Sequence, residues 1–137
     1  LVEAGKLDLS SPISKYLTDL PEHWNNVTVL QLLSHTSGIP DIIDEEESVL
    51  ISPYGEEASW KQVLQLQNDF ASGEKFSYNQ TNYLLLGRII DSLSGMSFNE
   101  FITKEQLVKA NMVNTVRAGF GATKEVITPK QANAKPN

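Results

Sequence analysis

Tyr78, Asn79 and Gln80 stand in a row directly before the most apolar helical stretch that the sequence encodes. The chemistry open to this run is proton transfer by the phenol. A phenol has a reference pKa of ~10, so it is a poor base at neutral pH unless a cation in a dry cleft favours its charged form. Lowering it by ~3 units would require ~4 kcal/mol of differential stabilisation, at ~1.4 kcal/mol per unit. Lys75, in an expected surface turn, is too exposed to supply that. Taken alone, Tyr78 reads as a packing ring with its hydroxyl at the surface, and Asn79 as the cap of the helix that follows.

His35 and Ser37, in "SHTSG", offer a second pairing that could do chemistry. The sequence supplies no aspartate placed to orient the imidazole, and Ser37 falls in a turn after a helix. A histidine there is expected to be structural, capping helix carbonyls and meeting the negative end of the dipole. The acidic run Asp44-Glu45-Glu46-Glu47 lacks the alternating oxygen ligands and central glycine of a calcium loop. It reads as a solvated acidic face.

Composition narrows the remaining classes. The chain has 137 residues, 40% of them hydrophobic, and a net charge of −6 with no basic stripe, which argues against a nucleic-acid partner. It contains no cysteine and two well-separated histidines, so thiolate metal sites are excluded and a zinc site is not expected. No apolar run approaches the ~20 residues of a membrane span.

The elements that would position these residues are mainly helical. Leu7 to Leu20 reads as a connector with a short helical piece near Ile13 to Leu17. Thr28 is placed to cap a helix that begins at Val29 and stops at Gly38, with Pro40 beyond it. Ser59 and Gln62 read as a capping box opening a helix that ends near Phe70. The central helix is expected from about Thr81 to Ser94, closed by Gly95, with Leu86, Ile89, Ile90 and Leu93 along one face and Tyr83, Leu84 and Leu85 widening that stripe. Gly87 inside it predicts the close approach of another backbone. Ser97 and Glu100 form a second expected capping box. Beyond Met112 the pattern fades, with a short strand expected between Val113 and Val126. Residues 1–127 are expected to form one truncated domain and 128–137 a frayed polar tail. Leu1 to Lys6 reads as the last turn of a helix closing on Gly5, so the chain looks like an excerpt.

Three segments together, "LVEAGKLDLSSPISKYLTDLP", "VTVLQLLSHTSGIPD" and "GEKFSYNQTNYLLLGRIIDSLSGMSFNEFI", resemble consecutive stretches of the serine β-lactamase-related hydrolases, the class C β-lactamase, D,D-peptidase and esterase type. "NMVNT", ending at Thr115, resembles the family's Gly-Met-x-x-Thr segment. The resemblance implies a helical subdomain excerpted from an α/β fold of the β-lactamase and transpeptidase kind. It places Tyr78 at the tyrosine of the family's Tyr-x-Asn motif, as general base and later proton donor. It gives Gln80, one methylene longer than the usual asparagine, a substrate contact. Ser72 stands where many relatives carry proline.

The Ser-x-x-Lys nucleophile and the Lys-Thr-Gly or His-x-Gly strand would lie outside this chain, so the chain alone is expected not to turn over substrate. The resemblance implies no metal or organic cofactor, a small-molecule or peptide substrate for the parent protein, and export to the bacterial envelope. Apolar surface left by the missing sheet could favour self-association. The rival reading is a non-enzymatic helical interaction module derived from this family, with Tyr78 a packing residue.

Overall fold

The computed structural model describes residues 1–44, 46, 49–112, 114 and 115. Two compact units divide the chain, Leu1–Phe101 and Ile102 onward. The expected strand between Val113 and Val126 and the tail from Thr128 lie almost wholly outside the described residues. No described helix is long and apolar enough to cross a membrane.

In the first unit, the chain enters through a turn closed by Gly5 (φ 65°) and a 3-10 turn at Ile13–Lys15. Ile13 donates its N–H to the Val27 carbonyl and Val29 to that of Ser11, which stitches this connector to the start of α1 (Val29–Leu33). The Thr28 cap is a complete capping box. Its hydroxyl accepts from the Gln31 N–H, and the Gln31 side chain accepts from the Thr28 N–H.

α1 ends at Leu33 rather than Gly38, because His35 (φ 55°) already takes the left-handed conformation that closes a helix. Thr36 then donates to the Gln31 carbonyl. An antiparallel ladder that the sequence pattern did not suggest follows: β1 (Ile43–Asp44) pairs with β2 (Val49–Leu50) in the register Ile43 to Leu50.

α2 runs from Glu56 to Val63. The expected Ser59 box does not form. Gly55 stands at the cap position, Glu56 and Glu57 place negative charge on the first turn, and Ser59 lies one turn inside. Its buried hydroxyl accepts from the Ser52 N–H instead.

α3 (Gln80–Ser94) is the central helix, ended as expected by Gly95 in the left-handed conformation. It packs against α1, and their contact supplies Val29, Leu32, Leu85 and Ile89 to a core that also holds Ile13, Trp24, Trp60 and Val63. Each such side chain contributes roughly 1.5–3 kcal/mol on burial. The buried stripe is Thr81, Asn82, Leu85 and Ile89, with Leu86, Ile90 and Leu93 only half-buried. The face turned inward is thus one residue off the purely apolar stripe, because its first turn carries polar groups that find partners on the other side. Gly87 has no atom within 4 Å of where a Cβ would stand, so it answers no close backbone approach.

The Ser97 capping box opens α4 (Phe98–Ile102): the Ser97 N–H and hydroxyl both donate to the Glu100 carboxylate. Those two bonds hold the Glu100 carboxyl below its ordinary range. In the second unit a π-helical turn spans Thr103–Leu107, and Lys109 pairs with Glu105.

Candidate functional site

The residues of "SHTSG" form a shelf, and the residues around Tyr78 lie on it. Gly38 (φ 74°) begins the contact. A Cβ there would stand 2.1 Å from the Phe70 carbonyl oxygen, so the two backbones meet as only glycine permits. Asp69 donates its N–H to the Gly38 carbonyl (2.9 Å), Gly73 to that of Thr36 (2.7 Å) and Ser77 to that of His35 (2.9 Å). The Ser72 hydroxyl donates to the Ser37 carbonyl at 2.6 Å. Residues 69–77 are thereby laid along residues 35–38, pointing the chain into α3.

Asn79 closes the arrangement. Its side chain accepts from the Asn82 N–H (3.1 Å), the cap expected from sequence, and also donates to the Ile39 carbonyl (2.6 Å). Its own N–H donates to His35 Nδ1 at 3.2 Å. Asn82, fully buried, accepts from the Ser37 hydroxyl at 2.6 Å, and its amide nitrogen lies 3.3 Å from His35 Nδ1. Thr81, also fully buried, accepts from the Ile42 N–H. Asp41 sets a carboxylate against the helix start, accepting from the Gln80 N–H with both oxygens at 3.1 Å.

The two flanking side chains project outward. Tyr78 is 60% exposed, against 5% for Asn79 beside it. The Gln80 amide donates to the Tyr78 hydroxyl oxygen at 3.1 Å, which leaves the phenol's own hydrogen for another acceptor. Structure therefore brings Tyr78 and Gln80 together, with a buried cap between them. Neither residue lines the hollows of about 650 and about 370 Å³ in the first unit.

The His35 backbone N–H donates to the Leu32 carbonyl of α1 at 3.3 Å, but its side chain does not cap α1 as its position had suggested. Its left-handed backbone swings the imidazole to α3, where it lies 4.7 Å from the Tyr78 ring and stacks at 5.2 Å on Tyr83. Ser37 is no nucleophile here either, since its hydroxyl is 1% exposed as a residue and committed to Asn82.

Lys75 lies over the Phe70 ring, 4.9 Å from its centroid. One string escaped the reading of the sequence: Ser72-Gly73-Glu74-Lys75 spells Ser-x-x-Lys. It occupies a turn and not a helix start, and the Ser72 hydroxyl is spent on Ser37. Burial raises the Asp69 carboxyl above its ordinary range, the neighbouring Asp41 charge adds to this, and Lys75 opposes it.

Asn82, Thr81 and Asp41 were not singled out from sequence, and Ser37 was weighed there only as a partner of His35. A signal existed in the pair Thr81-Asn82, two poor helix formers in the first turn of an otherwise apolar helix. No group of three or more acidic, histidine or cysteine side chains placed to hold a metal occurs among the described residues.

The sequence pattern of the Beta-lactamase family matches residues 1–118. Protein flp of Staphylococcus aureus (strain COL) is 31% identical over 119 residues, which are 84% of this chain and 24% of that protein. A penicillin binding protein from Bacillus halodurans superposes with a TM-score of 0.72 at 31% identity, covering 91% of this chain and 40% of the other. A class C β-lactamase solved in complex with cefoxitin superposes with a TM-score of 0.66 at 25% identity, covering 81% and 30%. The chain spans about a quarter of the length of the flp protein it matches.

Proposed function

This chain belongs to the β-lactamase family, and we propose that it forms the tyrosine-bearing wall of a serine hydrolase active site. The full protein would open an amide, lactam or ester carbonyl through an acyl-enzyme. Tyr78 is the proton carrier and Gln80 the substrate contact. The serine that attacks, with its Ser-x-x-Lys lysine, would be supplied by residues beyond these 137. So would the sheet that completes an α/β fold around this helical subdomain, and the chain by itself would therefore be inactive.

The observation that carries this reading is the contrast at the start of α3. A buried, fully bonded Asn79 fixes the backbone, while Tyr78 and Gln80 are presented outward with amide and hydroxyl in contact at 3.1 Å. Proton transfer needs a group held within hydrogen-bond reach of the reacting atoms, and a rigid backbone under an accessible hydroxyl meets that demand. In the first half-reaction the Tyr78 oxygen, deprotonated beside the cationic Ser-x-x-Lys lysine, would accept the serine's proton as the serine oxygen bonds to the carbonyl carbon. The same proton would pass to the departing nitrogen or oxygen. A water would then repeat the sequence on the ester. The Gln80 amide, near the same point, can donate to a substrate carbonyl.

The test is hydrolysis of nitrocefin and of a p-nitrophenyl ester by the full-length protein, with and without Tyr78→Phe. We expect turnover that falls at least ~100-fold in the variant, the scale of a positioned acid–base group. An unaffected Tyr78→Phe enzyme would remove Tyr78 from the mechanism.

A further inference from the structure

We propose that His35 is the positioning residue for Tyr78: one side chain and its carbonyl fix three consecutive residues so that the phenol is held at the site. This rests on the reading of Tyr78 as the proton carrier. The His35 carbonyl accepts from the Ser77 N–H at 2.9 Å, and its Nδ1 accepts from the Asn79 N–H at 3.2 Å. Its ring lies against the ring of Tyr78 between them, with centroids 4.7 Å apart and planes inclined at 36°. The backbone on both sides of the tyrosine and the tyrosine ring itself therefore all touch one residue.

His35 is itself held. Its backbone occupies the left-handed region (φ 55°), which aims the imidazole away from α1 and at the start of α3. Tyr83 stacks on it at 5.2 Å, and Phe76 meets it edge-on at 5.9 Å. The Asn82 amide nitrogen sits 3.3 Å from Nδ1, and Asn82 is pinned in turn by the Ser37 hydroxyl. Because Nδ1 accepts a backbone N–H, the neutral ring carries its proton on Nε2. His35 meets Tyr78 through ring faces and the bond to Asn79, so it acts through the tyrosine and does not itself exchange the substrate's proton.

Three variants separate these contributions in the full-length protein. His35→Gly tolerates the left-handed backbone and removes both acceptor and ring. His35→Asn also tolerates that backbone and puts an amide oxygen where Nδ1 was. His35→Phe restores the ring without the acceptor. We expect His35→Gly to lower kcat about 10- to 100-fold, the scale of a displaced catalytic group, with KM changed by less than about 3-fold. His35→Asn should recover most of that loss, and His35→Phe little of it.

In a Tyr78→Phe background, His35→Gly should slow the enzyme no further. A residue acting only through Tyr78 has nothing left to position there. Equal loss in both backgrounds would overturn the proposal, since it would mark a general defect of the fold. So would a His35→Gly enzyme as fast as the parent.

Amide hydrogen exchange at Asn79, read by NMR in the same proteins, gives an answer independent of turnover. Protection should drop at least about 10-fold in His35→Gly and return in His35→Asn; unchanged protection in His35→Gly would refute the role. If Tyr78→Phe alone leaves the rate intact, it is the proton-carrier reading that fails. The exchange result then still decides whether His35 fixes the segment.

Discussion

At the start of α3, Asn79 is 5% exposed, its side chain bonds to both the helix and the Ile39 carbonyl, and Asp41 adds a carboxylate to the first turn. At the start of α2, Gly55 supplies no side chain, and the first turn is met only by the exposed Glu56 and Glu57. Both beginnings yield a regular helix. A helix needs little more than a tolerable first turn and favourable charge near its positive end. The additional bonds at α3 exceed what a helix start requires, and they surround the two side chains that project into the open. That difference separates a structural helix start from one that also holds a tyrosine in place.

Several substitutions would break or sharpen the contrast. Gly38→Ala should be the most damaging, by about 4 kcal/mol or more, because it combines a left-handed φ with a clash against the Phe70 carbonyl. Thermal unfolding would measure it, and a loss under ~1 kcal/mol would show that the shelf yields.

Asn79→Ala should destabilise by about 2–4 kcal/mol, from a lost cap and a carbonyl deprived of its donor. Gly55→Ala meets no atom within 4 Å, yet its backbone (φ 94°, ψ −174°) suits glycine alone, so about 1–3 kcal/mol is expected. The two should part company in activity. In the full-length protein at a temperature where both are folded, Asn79→Ala should lower kcat and Gly55→Ala should leave it intact. Equal kcat values would erase the distinction between the two helix starts.

Gly87→Ala has the opposite sign. With open space at the Cβ and ordinary helical backbone, it should stabilise α3 by about 0.5–1 kcal/mol in a denaturant titration.

The smallest effect concerns Asp69. Its carboxyl is raised in the folded chain, so the folded state binds protons more tightly than the unfolded state. Stability from this source is full below the ordinary value of 3.8 and is lost as pH rises through the folded value. Asp69→Asn should therefore have a slightly higher Tm than the parent near neutral pH and a matching Tm in acid. A difference that grows on acidification would contradict the sign.

Much of this arrangement could be read from local sequence. Asn79 as cap, Gly95 as stop, the Thr28 cap and the Ser97–Glu100 box depend on residues within four positions of each other, and each formed. The Ser59 box failed for a nonlocal reason: the Ser52 N–H claims its hydroxyl, and the helix starts a turn earlier. The β1–β2 ladder was missed because its strands are two residues each, too short to show alternation. Gly87 invited a packing explanation that the surrounding space does not support.

Sequence alone determined the helix order and the family resemblance, and it is the source of the proposal that Tyr78 and Gln80 carry the chemistry. These depend on nearest-neighbour chemistry and on motif spacing. Only the tertiary structure decided which side of α3 faces inward and that His35 turns to Tyr78 instead of to α1. It alone showed that Ser37, Asn82 and Thr81 carry the shelf. The partners of those groups lie about 40 positions away along the chain. A buried hydroxyl or amide takes whichever partner the fold brings within 3 Å or so, and no local pattern encodes that choice.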